Sequence, residues 1–339
     1  MDSNNELVNA VTQTFQRKGI AALEKARSDL ISEFSDDNPV SEAIRYFSRV
    51  TLEGVLPVFP ALIAISCEAV GGKAENTVPI GSAMVCITGA ADIHDDIIDN
   101  STLKRFKRTV FGRFGKSIAL LAGDSLLTKG LVLAGQECVR VSPTNHGIIT
   151  NLLANGVFKI SCAQALESQM LGNLELLPDQ LFQIIRLKSV VTELNMRIGA
   201  IIGNGKPAQI ETLANVGRTF GIVSIVIDEM NDLLNLQELR NRLTNECPPL
   251  PFLYAIQDDS VRTEIISLAR TKPLTNKNLE LISKKVLCSK KIDALREQMR
   301  TLVNSEISGN QSAETEKWWQ TSKTLLSASI EYLNSIGIS

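Results

Sequence analysis

Histidine is almost missing from this chain. His94 and His146 are the only two in 339 residues, so metal chemistry built on imidazole clusters is not expected. Glycine and proline are sparse, at 21 and 11. That is too few for the turns a many-stranded β protein needs every 8 to 12 residues or so. Cysteines 67, 86, 138, 162, 247 and 288 are scattered singly, which leaves no zinc or redox motif and reads as small core residues. Charge of either sign is not in excess: 35 Lys and Arg against 37 Asp and Glu give a net charge of -2. Nucleic acid and anionic membrane therefore exert no global pull, and any basic site must be local. The opening MDSNNELVNAV has no basic-then-apolar signal pattern. The longest weakly polar stretches, Val55 to Cys67 and Thr77 to Ala91, fall short of the roughly 18 residues that span a bilayer. A cytoplasmic protein without a transmembrane segment is expected.

What is present reads as helix. Apolar residues are 44% and charged residues 21% of the chain, an ordinary globular balance. Helical spacing runs from Asn5 to Ile31 and from Val40 to Thr51, broken by Asp-Asp-Asn-Pro at 36–39. A helix from Pro60 to Val70 should stop at Gly71-Gly72. The segment Asn76 to Asp99 is apolar nearly all round in its first part, which predicts a helix in the middle of a bundle. Further helices fit Ser117 to Cys138, Asn145 to Gly172, Pro178 to Ile202 and Ala208 to Leu234, with shorter, more charged ones after Leu250. No repeat or linker interrupts them, so the expectation is all-α: one large helical bundle forming a single domain over residues 1–339.

Three clusters carry chemistry. In ADIHDDIIDN, Asp92, Asp95, Asp96 and Asp99 fall at i, i+3, i+4 and i+7 on one face near a helix C-terminus. Mutual repulsion and the helix dipole both disfavour carboxylates there. Either the cluster is a solvated acidic helix end or a cation compensates it, and Mg2+, with one or two carboxylates plus phosphate oxygens, suits such a set. In IVSIVIDEMNDLLN, Asp228, Glu229 and Asp232 again close an apolar helix. If the two helix ends face each other, a polyanionic head could be clamped through metal ions while an apolar tail lies between helices. KRFKR, with Lys104, Arg105, Lys107 and Arg108, begins five residues after Asp99. It is either a solvated loop or a fold-back that holds diphosphate oxygens. His94 lies about 100° round the helix from Asp95 and reads as a packing residue; His146 falls in a loop.

DDIID followed by LKRFKRTVFGRFG, then LLAGDSLL and DEMND, resembles the trans-polyprenyl diphosphate synthases of the polyprenyl synthetase family, over roughly Phe59 to Ile256. The resemblance implies an all-α bundle around a deep central apolar tunnel, usually a homodimer, in which two aspartate motifs hold Mg2+ on an allylic prenyl diphosphate. By position it implies metal-binding and catalytic roles for Asp95, Asp96, Asp99, Asp228 and Asp232, with Glu229 replacing an aspartate. It also implies diphosphate contacts from Lys104 and Arg105, a catalytic lysine at Lys188 beside Ser189, and a polar cavity residue at Gln164. Family members close the tunnel with bulky aromatics four and five residues before the first aspartate. Here those positions are Ala91 and Ala90, beside Gly89, so a tail or product of C20 or longer is expected.

The departures concern the second substrate. Where the family has a GGKRxRP segment for isopentenyl diphosphate this chain reads GVLPVFP, with Leu56 and Pro57 at the basic positions; Thr88 replaces a histidine, and Cys247 a lysine. The expected activity is ionisation of an allylic prenyl diphosphate followed by prenyl transfer, with isopentenyl diphosphate or another acceptor as second substrate. Terpene-synthase-type cyclisation and a non-catalytic subunit that binds prenyl diphosphates stand as alternatives.

Overall fold

A computed structural model describes residues 2–104, 107–309 and 317–336. Arg105 lies outside the described residues. The chain is built almost wholly of helices, and local sequence explains where they begin. α1 (Asp2–Glu33) leads to α2 (Pro39–Tyr46), which has proline in its first turn and Asn38 as N-cap, its side chain accepting from the Ser41 N–H. A π-helical turn, Phe47–Thr51, extends α2. α3 (Val58–Ala69) and α4 (Val78–Ile98) follow. Nearly every α4 residue from Pro79 to Ala90 is buried, as its apolar pattern predicts for a central helix, and it packs between α1, α3 and α5 (Val110–Val141). Asn100, with φ of 53°, closes the α4 C-terminus in the left-handed region, where asparagine is tolerated.

α6 (His146–Ser168) lies against α5 and also touches α7 (Pro178–Lys188) and α8 (Val190–Ile202). The single helix expected over Pro178 to Ile202 is therefore two, parted at Ser189. α9 (Pro207–Asp232) packs on α8, and α10 (Leu236–Asn245) to α15 (Lys317–Ser335) complete the chain. The largest apolar cluster joins Phe15 of α1 to Ile336 beyond α15. Two further features were not foreseen. Residues Leu103–Lys104 and Lys107–Arg108 pair as an antiparallel hairpin, and α5 begins earlier than expected, across a bend at Gly115 with φ of 78°. By length and composition α5 and α9 are each apolar enough to cross a membrane. The expectation of no such helix came from counting uninterrupted apolar runs, which overlooks segments with widely spaced charges. α9 is threaded mostly through the bundle interior, whereas α5 keeps one side exposed.

Candidate active site

The last two turns of α4 bring the first acidic cluster to one end of the bundle. Asp96 is only 3% exposed, and its Oδ1 lies 2.7 Å from Lys104 Nζ, which also sits 2.9 Å from Asp92 Oδ1. The hairpin delivers Lys104, and its base is tied to the helix end. The Ser101 N–H donates to the Asp96 carbonyl at 2.8 Å, and the Thr109 hydroxyl donates to the Ser101 carbonyl at 2.8 Å while accepting from the Gly112 N–H. Lys104 thus folds back over the acidic cluster as expected. Lys107 turns elsewhere, to Glu53 at 3.0 Å and the Val50 carbonyl at 3.2 Å.

Burial and crowding make these carboxylates poor anions on their own. Burial pushes Asp95 up to about 7, with Asp99 adding to the rise and Lys188 opposing it. Asp96 and Asp99 are raised as well, by burial first and neighbouring carboxylates second. For Lys104 burial favours the neutral amine, but Asp92 and Asp96 outweigh it and hold its pKa above the ordinary lysine range.

The second cluster splits into two kinds of residue. Asp228 is exposed, and Asp232 follows one turn later. Glu229 is 5% exposed, and both its oxygens are engaged: Oε1 accepts from Arg242 at 2.6 Å and Oε2 from the Leu250 N–H at 2.7 Å. The Glu229 carboxylate thus ties α9 to the segment that follows, both of its oxygens being engaged by protein partners. Arg242 Nη1 lies 3.6 Å from Asp232 Oδ2, and burial holds Asp232 up at about 7 against that charge.

The two clusters share one electrostatic environment. Asp99 feels Glu167, Lys188 and Arg242, and Glu246 feels Asp99 and Lys104. Asn241 Nδ2, on α10, donates to Ser101 Oγ at 3.1 Å beside the first cluster. The two helix ends, whose facing the sequence left open, therefore converge. Lys188 lies between them, ion-paired with Glu167.

From this acidic end an apolar cavity of about 530 Å³ runs along α4, bounded by α5, α6 and α8. Asp95, His94, Gln164 and Ser168 are among its polar lining groups, and Met84, Leu127, Leu153 and Leu194 among its apolar ones. Asp95 to Met84 is eleven residues of α4, about 16 Å at 1.5 Å per residue. Ala90 and Ala91 line this cavity as expected. Gly89 does not: a Cβ there would lie 2.3 Å from the Phe47 ring, so it serves helix packing. Ser189 is buried, and its hydroxyl donates to the Arg186 carbonyl at 2.8 Å. His94 does more than pack: it lines the cavity, its Nε2 3.4 Å from Asp124 Oδ1. His146 is exposed, with Nδ1 2.8 Å from the Pro143 carbonyl at the start of α6.

Sequence reasoning missed Glu167, Arg242 and Glu246. Glu167 lies three residues after Gln164 on α6, and Glu246 four after Arg242, spacings that share a helix face. Those were the available signals.

The structure is thus a helical bundle with two carboxylate clusters at one end and an apolar cavity running from that end along α4. Residues 57–285 match the polyprenyl synthetase family, and the chain belongs to it. It is 30% identical over 204 residues to the chloroplastic geranylgeranyl pyrophosphate synthase of Capsicum annuum, covering 59% of this chain and 54% of that protein. It is 26% identical over 224 residues to a short chain isoprenyl diphosphate synthase of Methanothermobacter thermautotrophicus, covering 62% and 67%. The chain thus spans about half the length of the plant relatives it matches. Among solved structures, geranylgeranyl pyrophosphate synthetase from Pyrococcus horikoshii Ot3 superposes with a TM-score of 0.77 at 20% identity, covering 94% of this chain and 98% of that one. A polyprenyl synthase from Caulobacter crescentus CB15, complexed with calcium and isoprenyl diphosphate, gives 0.75 at 17% identity, covering 94% and 97%. These two likenesses establish the isoprenoid-synthase type of fold.

Proposed function

We propose that this protein is a Mg2+-dependent prenyltransferase that ionises an allylic prenyl diphosphate and transfers its prenyl chain, of C20 or longer. The observation that carries the reading is the position of Asp95, at once a member of a buried carboxylate cluster and part of the wall of a long apolar cavity. The donor set fits Mg2+: hard carboxylate oxygens that need a cation to ionise fully near neutral pH.

Asp95, Asp96, Asp99, Asp228 and Asp232 are the residues that would hold it. Bound there, Mg2+ supplies positive charge to the diphosphate oxygens as the C–O bond breaks. Lys104 and Lys188 orient the diphosphate and add protein-borne positive charge beside it. The cavity walls hold the tail and keep water from the allylic cation, and Gln164, buried at the cavity wall, is placed to fix the end of the substrate nearest the carboxylates. Leu120, Leu121, Val132 and Val139 on α5 and Ile148 and Phe158 on α6 are exposed apolar side chains; they support a homodimer joined through these helices. The apolar cluster that joins α1 to the residues beyond α15 supports one domain over 1–339.

A second reading, transfer to an acceptor other than isopentenyl diphosphate, rests on segment 54–60, the loop before α3 and the first residues of that helix. Leu56 packs against the main apolar cluster, the Pro57 carbonyl lies against Gly19 of α1, and Glu53 next to this segment pairs with Lys107. No basic side chain in that segment is offered to a second diphosphate, and the loss of several charge-assisted contacts at about 1.5–3 kcal/mol each weakens such a ligand by orders of magnitude. The test incubates the purified full chain with labelled allylic diphosphates and Mg2+, with and without isopentenyl diphosphate, following diphosphate release and lipid products separately. No diphosphate release with any of the allylic substrates sinks the proposal. Elongation only when isopentenyl diphosphate is present sinks the second reading.

A further inference from the structure

A cation packed against Glu229 and Asp232 of the second acidic cluster belongs to the protein itself. α10 starts after a short turn, with Asn235 as N-cap accepting from the Gln237 and Glu238 N–H groups at 3.1 and 3.3 Å. This packs Arg242 back against the end of α9, its side chain 13% exposed. Each of its three nitrogens faces an oxygen of this cluster or of the chain that follows it. Nη2 is 2.6 Å from Glu229 and Nη1 3.6 Å from Asp232; Nε donates to the Cys247 carbonyl at 2.9 Å and lies 3.6 Å from Glu246. Cys247 is the position at which resemblance to the family leads one to expect a lysine. The first cluster is arranged differently: among the described residues Asp95 and Asp99 form no ion pair within 4.0 Å, and Lys104 is directed to Asp92 and Asp96.

We propose that Arg242 is the resident counter-cation of the second acidic cluster: it fixes Asp232 and Glu229 in place and supplies part of the positive charge a metal ion would bring there, leaving the first cluster as the principal metal site. This rests on the metal-dependent reading above and adds to it how charge is divided between the two clusters. A guanidinium hydrogen-bonded to Glu229 and the Cys247 carbonyl and flanked at 3.6 Å by the Asp232 and Glu246 carboxylates cannot move away as hydrated ions do. A divalent ion approaching Asp232 therefore meets a fixed like charge. Arg242 acts through Asp232 and is a positioning residue.

The test counts Mn2+ bound to the full chain by electron paramagnetic resonance of the free ion. An allylic diphosphate analogue with sulfur in the scissile bridge is present, so that no turnover occurs. Arg242→Met alone strands a buried Glu229, so the variant is Arg242→Met with Glu229→Gln, in which the amide oxygen still accepts from Leu250, with circular dichroism confirming the fold. The expected result is one additional Mn2+, or the weakest Mn2+ bound about tenfold tighter, roughly 1.4 kcal/mol. Asp232→Asn in that background should remove the gain, and Arg242→Lys alone should behave as the wild type. A folded double variant with wild-type or weaker Mn2+ binding overturns the inference while leaving the metal-dependent reading standing. A wild-type chain that binds no Mn2+ in the presence of the analogue overturns that reading itself.

Discussion

Asp95→Asn should make the metal-free protein more stable above neutral pH while stopping diphosphate release. Burial raises this carboxyl from 3.8 to about 7. A folded state that holds a proton more tightly than the unfolded chain is favoured at low pH, and that advantage is lost as pH climbs from about 4 through 7. Moving a carboxyl from 3.8 to about 7 corresponds to on the order of 4 kcal/mol of unfavourable free energy once it ionises. Lys188 and Asp99 are already felt in that shift; solvent at the cavity mouth screens part of it, so one substitution should recover about 1–2 kcal/mol. Asparagine keeps the shape and loses the charge. Urea unfolding in a chelator at pH 5 and at pH 8 reads the effect: a small rise in midpoint for the variant at pH 5, where part of the penalty has already developed, and a clearly larger rise at pH 8. Diphosphate release with excess Mg2+ should fall by roughly 10²-fold or more. A variant less stable than wild type by the same margin at both pH values would refute the electrostatic reasoning, because it would mean that Asp95 serves packing.

Two further outcomes follow from the cavity wall. Ala91→Phe should fill the passage beside Asp95 and shift accepted or produced prenyl diphosphates from C20 and longer to C10–C15, read by chromatography of the lipid products; Ala90 is fully buried as well as cavity-lining, so Ala90→Phe should add a loss of stability. Gly123→Ala places a Cβ 2.3 Å from His94 Nε2, and should cost about 1–3 kcal/mol through overpacking; a thermal midpoint equal to wild type would show that His94 can step aside.

How much of this was legible beforehand depends on the range of the interaction. The burial of α4 follows from its all-round apolar pattern. The common face of Asp92, Asp95, Asp96 and Asp99 follows from 3.6 residues per turn, and both held in the structure. The fold-back of Lys104 was within reach too, because only a short turn separates it from the helix end. Glu229 shows where local geometry should have been pressed further. One residue past Asp228 is about 100° round the helix, while Asp232 is only about 40° away, so a cation reaching Asp228 and Asp232 from one side leaves Glu229 on another. What no periodicity could reveal is what waits on that other side. The α9 helix is apolar on most faces, so its pattern does not say which neighbour a lone carboxylate will meet. Arg242 reaches Glu229 only because α10 turns back after three residues and the next segment presents the Leu250 N–H to the remaining oxygen. A buried carboxylate needs partners for both its oxygens. In this protein the chain following the motif provides both, through Arg242 and the Leu250 N–H.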